Sequence, residues 1–113
     1  MSELWLKEWV AHGLPCRVKQ HGMGHYCGYC DIPDGHPLAR KDYTNDAVAA
    51  LDVHGGVTYY GDTGQGWRFG WDAAHGDDFH AMIGDHGGRR WTLADAIAET
   101  ERLAALLAAG GLE

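Results

Sequence analysis

The chain has 113 residues, 45% of them hydrophobic and 22% charged, with a formal net charge of −7 at pH 7. That length supports one domain, spanning 1–113, with a single modest core. The acidic balance argues against general nucleic-acid or anionic-membrane binding, and no apolar run reaches the length of a membrane helix.

The first predicted element is a short N-terminal helix over 2–12, with Ser2 as its cap. Trp5 and Trp9, and likewise Leu6 and Val10, stand four apart and give it one apolar side. Gly13 supplies a stop and Pro15 prevents continuation. Strands follow over 16–20 and 26–32, joined by a turn at 21–24, as a hairpin. Residues 33–45 read as a loop that opens on the turn signal Pro33-Asp34-Gly35. The apolar content of 46–53 fits a strand or a short helical turn equally. His54-Gly55-Gly56 is a turn, 57–60 a strand, 61–66 another turn and 68–72 a strand, the last two strands forming a hairpin. The closing helix covers 93–109. Thr92 with Asp95 three residues on makes a capping-box start, and Leu93, Ala96, Ile97, Thr100, Leu103, Ala104 and Leu107 recur at helical spacing.

These elements define an α+β fold. An antiparallel sheet of about four to five strands packs against the C-terminal helix, with the short N-terminal helix at an edge. The core is expected to hold Trp67, Phe69, Trp71, Val57, Tyr59, Leu93, Ile97, Leu103 and Leu107.

The densest chemistry lies in 67–86, WRFGWDAAHGDDFHAMIGDH. Trp67, Phe69 and Trp71 fall two apart and share one face of a strand. The strand then delivers Asp72, His75, Asp77, Asp78 and Asp85 onto a loop, a common placement for ligands and acid–base groups. Asp72, His75 and Asp78 are the metal candidates, because carboxylate and imidazole suit a hard or borderline divalent ion. Asp72 could instead orient His75 as a general base, or bond backbone amides as a cap. His36 and His54 join the binding set if they converge with His75 in space; otherwise both are turn residues.

Three further patterns carry less. His21, His25, Cys27 and Cys30 contain zinc-type ligands, but Cys27 and Cys30, three apart on a strand, point to opposite faces. The glycines after His54 do not form a phosphate loop, since no Gly-Lys-Ser/Thr follows. Trp5, Trp9, Trp67, Trp71 and Trp91 with Tyr26, Tyr29, Tyr59 and Tyr60 are more than this core can cover, so an exposed aromatic patch is expected. Three cysteines exclude a complete disulfide framework and suit a reducing cytoplasm.

Several segments then fall into a familiar order. They are Cys27-Gly28-Tyr29 through Pro33-Asp34-Gly35-His36-Pro37-Leu38, then LDVHGGVTYYG at 51–61, then WRFGWDAAHGDDF at 67–79, then AETERLAALLA in the last helix. This order resembles a widespread family of small uncharacterised proteins of bacteriophages, prophages and their hosts, over roughly 25–107. The family's usual forms resemble HxCGYVxVPxGHPL, LxVHGGLTYxG and WWFGFDCAHAGD. Cys30 stands where the family has Val, and Ala73 where it has Cys.

The resemblance implies genomic context rather than a reaction. It leads to a small phage- or prophage-type accessory protein, located in the host cytoplasm, that binds and inhibits a host protein or nucleoprotein complex. An acidic surface opposing a basic channel would serve counter-defence, by analogy with anti-CRISPR proteins. No direct nucleic-acid contact, membrane contact or cofactor is expected, a divalent metal being the one group the Asp/His cluster could take. The alternatives are a small metal-dependent enzyme using Asp72, His75 and Asp78, or a nucleotide- or small-molecule-binding module using Trp stacking and the Gly turn.

Overall fold

The computed structural model describes residues 5–20, 25–42, 44–73 and 91–110. Five strands form one antiparallel sheet: β1 (Lys7–Ala11), β2 (Leu14–Gln20), β3 (Tyr26–Pro33), β4 (Tyr59–Asp62) and β5 (Gly66–Asp72). Their order across the sheet is β1-β2-β3-β5-β4. A one-turn helix, α1 (Asp46–Ala49), interrupts the connection to β4, and α2 (Leu93–Gly110) closes the chain. The α+β class, the antiparallel sheet and the C-terminal helix agree with the sequence.

The N-terminal segment does not. Residues 7–11 are an edge strand paired with β2, not a helix. The i, i+4 apolar spacing that suggests a helix also fits alternation, which turns Lys7, Trp9 and Ala11 to one face. A single short helix is marginal in water, whereas β2 offers a full ladder of partners. The turn decides the outcome. His12 at φ 52° and Gly13 at φ 79° both lie in the left-handed region, with Ala11 paired to Leu14 across them. Two positive φ values in a two-residue loop make a type I′ hairpin, whose twist matches that of the strands. Gly13 therefore reverses a strand rather than ending a helix.

Alternation sorts the sheet into two faces. Leu14, Cys16 and Val18 of β2, Cys30 and Ile32 of β3, and Phe69 and Trp71 of β5 are buried on the face that meets α2. The helix answers with Ala96, Thr100, Leu103, Ala104 and Leu107 along one stripe. Val48 of α1 is fully buried in the same core; Asn45 caps that short helix, accepting from the Ala47 and Val48 amides. At the start of α2 the capping box forms as the sequence predicts: the Thr92 amide donates to the Asp95 carboxylate and the Asp95 amide to Thr92 Oγ1, both at 3.1 Å.

One contact sets the closeness of helix and sheet. Trp71 Nε1 donates to Thr100 Oγ1 at 3.0 Å, and that hydroxyl donates to the Ala96 carbonyl at 2.8 Å. Gly28 lies beneath this pair: a Cβ there would stand 2.0 Å from Thr100 Oγ1 and 2.3 Å from Trp71 Nε1. Only glycine lets α2 seat on β3.

The core otherwise differs in detail. Trp67, Val57, Leu93 and Ile97 are partly buried at its margin, while Tyr59 is 45% exposed on the opposite face. Tyr59 precedes Tyr60 on β4, so only one of the two can face α2, and it is Tyr60 that stacks on Trp67 at 5.9 Å.

Candidate functional site

Of the expected Asp/His rim, Asp72, His36 and His54 lie within the described residues. His75, Asp77, Asp78 and Asp85 lie outside them, as does His21. The three described side chains are not brought together. Each is held by its own local partners.

His36 follows the turn in which its amide donates to the Pro33 carbonyl at 3.0 Å. Its Nδ1 accepts from the Leu38 amide at 3.0 Å, so Nε2 carries the proton and donates to the Leu107 carbonyl at 2.7 Å. The ring satisfies a carbonyl in the last turn of α2. His54 serves the other half of that helix. Its amide donates to the Glu99 carboxylate at 2.6 Å, and its ring packs edge-on against Trp91 at 4.8 Å and Trp71 at 6.4 Å. Glu99 and Leu107 are eight residues apart, or about 12 Å along the helix axis. The two histidines thus pin separate turns of α2 to the loops beside it.

Asp72 ends β5. The next residue back, Trp71, faces α2, so alternation directs Asp72 to the opposite face. There it accepts from Thr58 Oγ1 at 2.6 Å, tying the start of β4 to the end of β5. Its cross-strand neighbour is Cys27. Burial pushes the Cys27 thiol up to about 11, and the Asp72 charge adds to the rise. Among the described residues no group of three or more His, Cys, Asp or Glu is placed to hold a metal ion.

The sheet face away from α2 gathers a different set. Tyr29 of β3 lies over Gly70 of β5, where a Cβ would meet the ring at 2.6 Å. Trp5 meets Tyr29 edge-on at 5.6 Å, and Tyr59 meets it from the other side at 5.4 Å. Cations ring the cluster: Arg17, Lys19 and Arg68 stand 5.3, 5.6 and 5.8 Å from the Trp5 ring. These side chains enclose a small cavity of about 70 Å³, lined by Trp5, Lys19, Tyr29, Tyr59 and Arg68. Arg68 is held by Asp31 through two hydrogen bonds, at 2.6 and 3.0 Å, and Arg17 by Glu8 at 3.2 Å. Among the described residues no helix packs on this face. Val10, 68% exposed near one edge, and Tyr59, 45% exposed near the other, mark its width.

This face is the exposed aromatic patch expected from composition, but its members are not evident from any one motif. Tyr29 and Tyr59 flank a common glycine only because β3 and β4 both pair with β5 in the register that puts each opposite Gly70. The cysteines hold a second surprise. Cys27 and Cys30 do point to opposite faces, and the neighbour of Cys30 is Cys16, with the sulfurs 3.5 Å apart. The observed register sets Gln20 opposite Tyr26 and so Cys16 opposite Cys30; closing the hairpin on 21–24 would instead pair 16 with 29, so the sequence did not reveal this pair.

No family model matches the chain, and no curated protein and no solved structure shows significant similarity to it. Among the described residues no helix is long and apolar enough to cross a membrane.

Proposed function

We propose that this chain is a small accessory protein of phage or prophage type that works by binding a host protein and inhibiting it. Its contact surface is the face of the sheet opposite α2. The observation that carries this reading is the company kept by Trp5, Tyr29 and Tyr59: two guanidinium groups and an ammonium group surround them on a face with exposed Val10 and Tyr59. Trp, Tyr and Arg are the residues that dominate binding energy at protein interfaces. The order of the CGY, VHGG and WRFGWD segments supports the phage setting.

The electrostatics favour a protein over a nucleic acid. Arg17 and Arg68 already engage Glu8 and Asp31 on the same face, and the chain as a whole carries −7. A phosphate backbone would meet carboxylates beside every guanidinium. A protein surface can use both signs. This reading moves the contact away from His36, whose ring bonds the Leu107 carbonyl, and from His54, whose amide bonds Glu99, and leaves Asp72 at the border of the binding face.

The test is capture of the partner from host lysate, followed by titration with surface variants. Tyr59→Ala combined with Val10→Ser is expected to weaken the isolated complex at least tenfold. Asp52→Ala, at a side chain 83% exposed and ion-paired to α2, is expected to leave affinity unchanged. An affinity unmoved by the double variant would remove the sheet face as the contact surface. A chain that captures nothing and inhibits no host process would remove the binding function itself.

A further inference from the structure

Cys16 and Cys30 face each other across β2 and β3, 1% and 0% exposed, on the side that meets α2. Their pair type follows from the backbone. The Ala73 amide donates to the Tyr26 carbonyl at 3.0 Å, so the Tyr26 backbone points toward β5. That direction alternates along a strand. Gly28 and Cys30 therefore also direct their peptide groups to β5, while Cys27 and Tyr29 direct theirs to β2. On the β2 side, Cys16–Cys30 is thus a non-hydrogen-bonded pair. Such pairs hold their Cα atoms about 4.5 Å apart, inside the span that a disulfide bridges. The sulfurs already stand 3.5 Å from one another.

We propose that Cys16 and Cys30 form an oxidation site, a buried dithiol that a small peroxide converts to a disulfide joining β2 to β3. The two thiols have unequal roles. A hydrogen bond from Cys30 makes Cys16 the more acidic thiol, while the same bond and burial push Cys30 up. Cys16 therefore reacts first, since the thiolate is the nucleophile. Its sulfur attacks one peroxide oxygen and the O–O bond breaks. The Cys16 sulfur becomes a sulfenic acid, and the departing hydroxide takes up the proton Cys16 released, giving water. The Cys30 sulfur then attacks Cys16 Sγ, the S–OH bond breaks, and that hydroxide leaves with the Cys30 proton as a second water. Two thiols and one peroxide give one disulfide and two waters; the sulfurs lose two electrons and the peroxide gains them. Oxidation also removes the Cys30 thiol proton, and the Cys30 sulfur stands 3.3 Å from the Thr100 carbonyl, so the event registers at the seat of α2.

Cys27 is the internal control. It lies on the other face of β3, and burial holds its thiol at about 11. The test treats the native full chain with hydrogen peroxide, quenches, and titrates thiols after denaturation. The three thiols are expected to fall to one, with loss of two hydrogens in mass and a single crosslinked peptide pair containing Cys16 and Cys30. Cys27→Ser is expected to react identically and Cys30→Ser to lose the crosslink. The same treatment in urea is expected to yield links through Cys27 as well, which shows that all pairings are detectable. Three thiols surviving in the native chain while the unfolded chain oxidises would overturn the proposal. So would a native crosslink that includes Cys27. Both readouts come from the unsubstituted protein and hold even where Cys30→Ser does not fold.

Discussion

Gly28→Ala tests the account of how α2 is seated. The added methyl would sit 2.0 Å from Thr100 Oγ1 and 2.3 Å from Trp71 Nε1. Neither neighbour can yield cheaply, because Thr100 is 0% and Trp71 1% exposed. The helix must lift or the indole must turn, and either breaks the Trp71–Thr100 hydrogen bond. Overpacking of a filled core costs about 1–3 kcal/mol. A buried donor left without its acceptor costs about 1–3 kcal/mol more. The expected loss is therefore roughly 4 kcal/mol, a large share of the ~5–15 kcal/mol that holds a domain together. With a urea dependence of about 2 kcal/mol per molar, the midpoint should fall by about 2 M. Urea titration followed by tryptophan fluorescence and by circular dichroism measures it. Thr100→Ala removes the nearest clashing atom, so the double variant should lose at least about 1 kcal/mol less than the two single losses together. A Gly28→Ala protein within about 0.5 kcal/mol of the parent would refute the reasoning.

Other outcomes are fixed by single contacts. Gly13→Ala places a Cβ at φ 79° and should cost about 1 kcal/mol or more by thermal unfolding, whereas Gly13→Asn should be tolerated. His36→Ala removes the bonds to Leu38 and Leu107 and should cost about 1–2 kcal/mol in urea while leaving partner affinity intact; loss of affinity at full stability would show that His36 serves binding instead. Arg40, followed by the Gly64 amide, holds the Asp62 carboxyl below its ordinary 3.8. The folded state then binds that proton less readily than the unfolded chain. The contribution is complete above the ordinary value and disappears as pH falls through the lower folded one. Asp62→Asn should accordingly lower Tm at neutral pH and match the parent once the pH lies below the lowered folded value; a difference that persists in acid would exclude the Arg40 pairing as its source.

How much of this was legible in the sequence depends on range. α2 and its capping box were readable because both are local, set by spacing within one helix. β5 was readable from the alternation of Trp67, Phe69 and Trp71, and β3 from its aromatic and Cys content. Residues 7–11 were not, because Trp5/Trp9 and Leu6/Val10 satisfy two periodicities at once, and the deciding signal was the His12-Gly13 turn rather than the segment itself. The Asp/His rim shows a different limit. Chemistry-bearing residues near one another in sequence drew attention to 72–86, yet His36 and His54 are used for backbone bonds to opposite halves of α2. Conversely, Trp5, Tyr29, Tyr59 and Arg68 come from four segments and meet only through strand order. Cys16 and Cys30 likewise depend on register, which a one-residue slip would erase.

The strand order has a kinetic consequence. β1, β2 and β3 follow one another closely in sequence, and β4 and β5 do the same, so each group can zip locally. Among the described strands the groups join at the β3–β5 seam, which must gather an excursion running from 34 to 65 before it gains a single ladder bond. Substitutions along that seam, at Ile32 or Phe69, should slow refolding, and those at the β1 margin should chiefly hasten unfolding. A chevron in which Trp9 variants retard refolding as strongly as Phe69 variants would mean that assembly begins elsewhere.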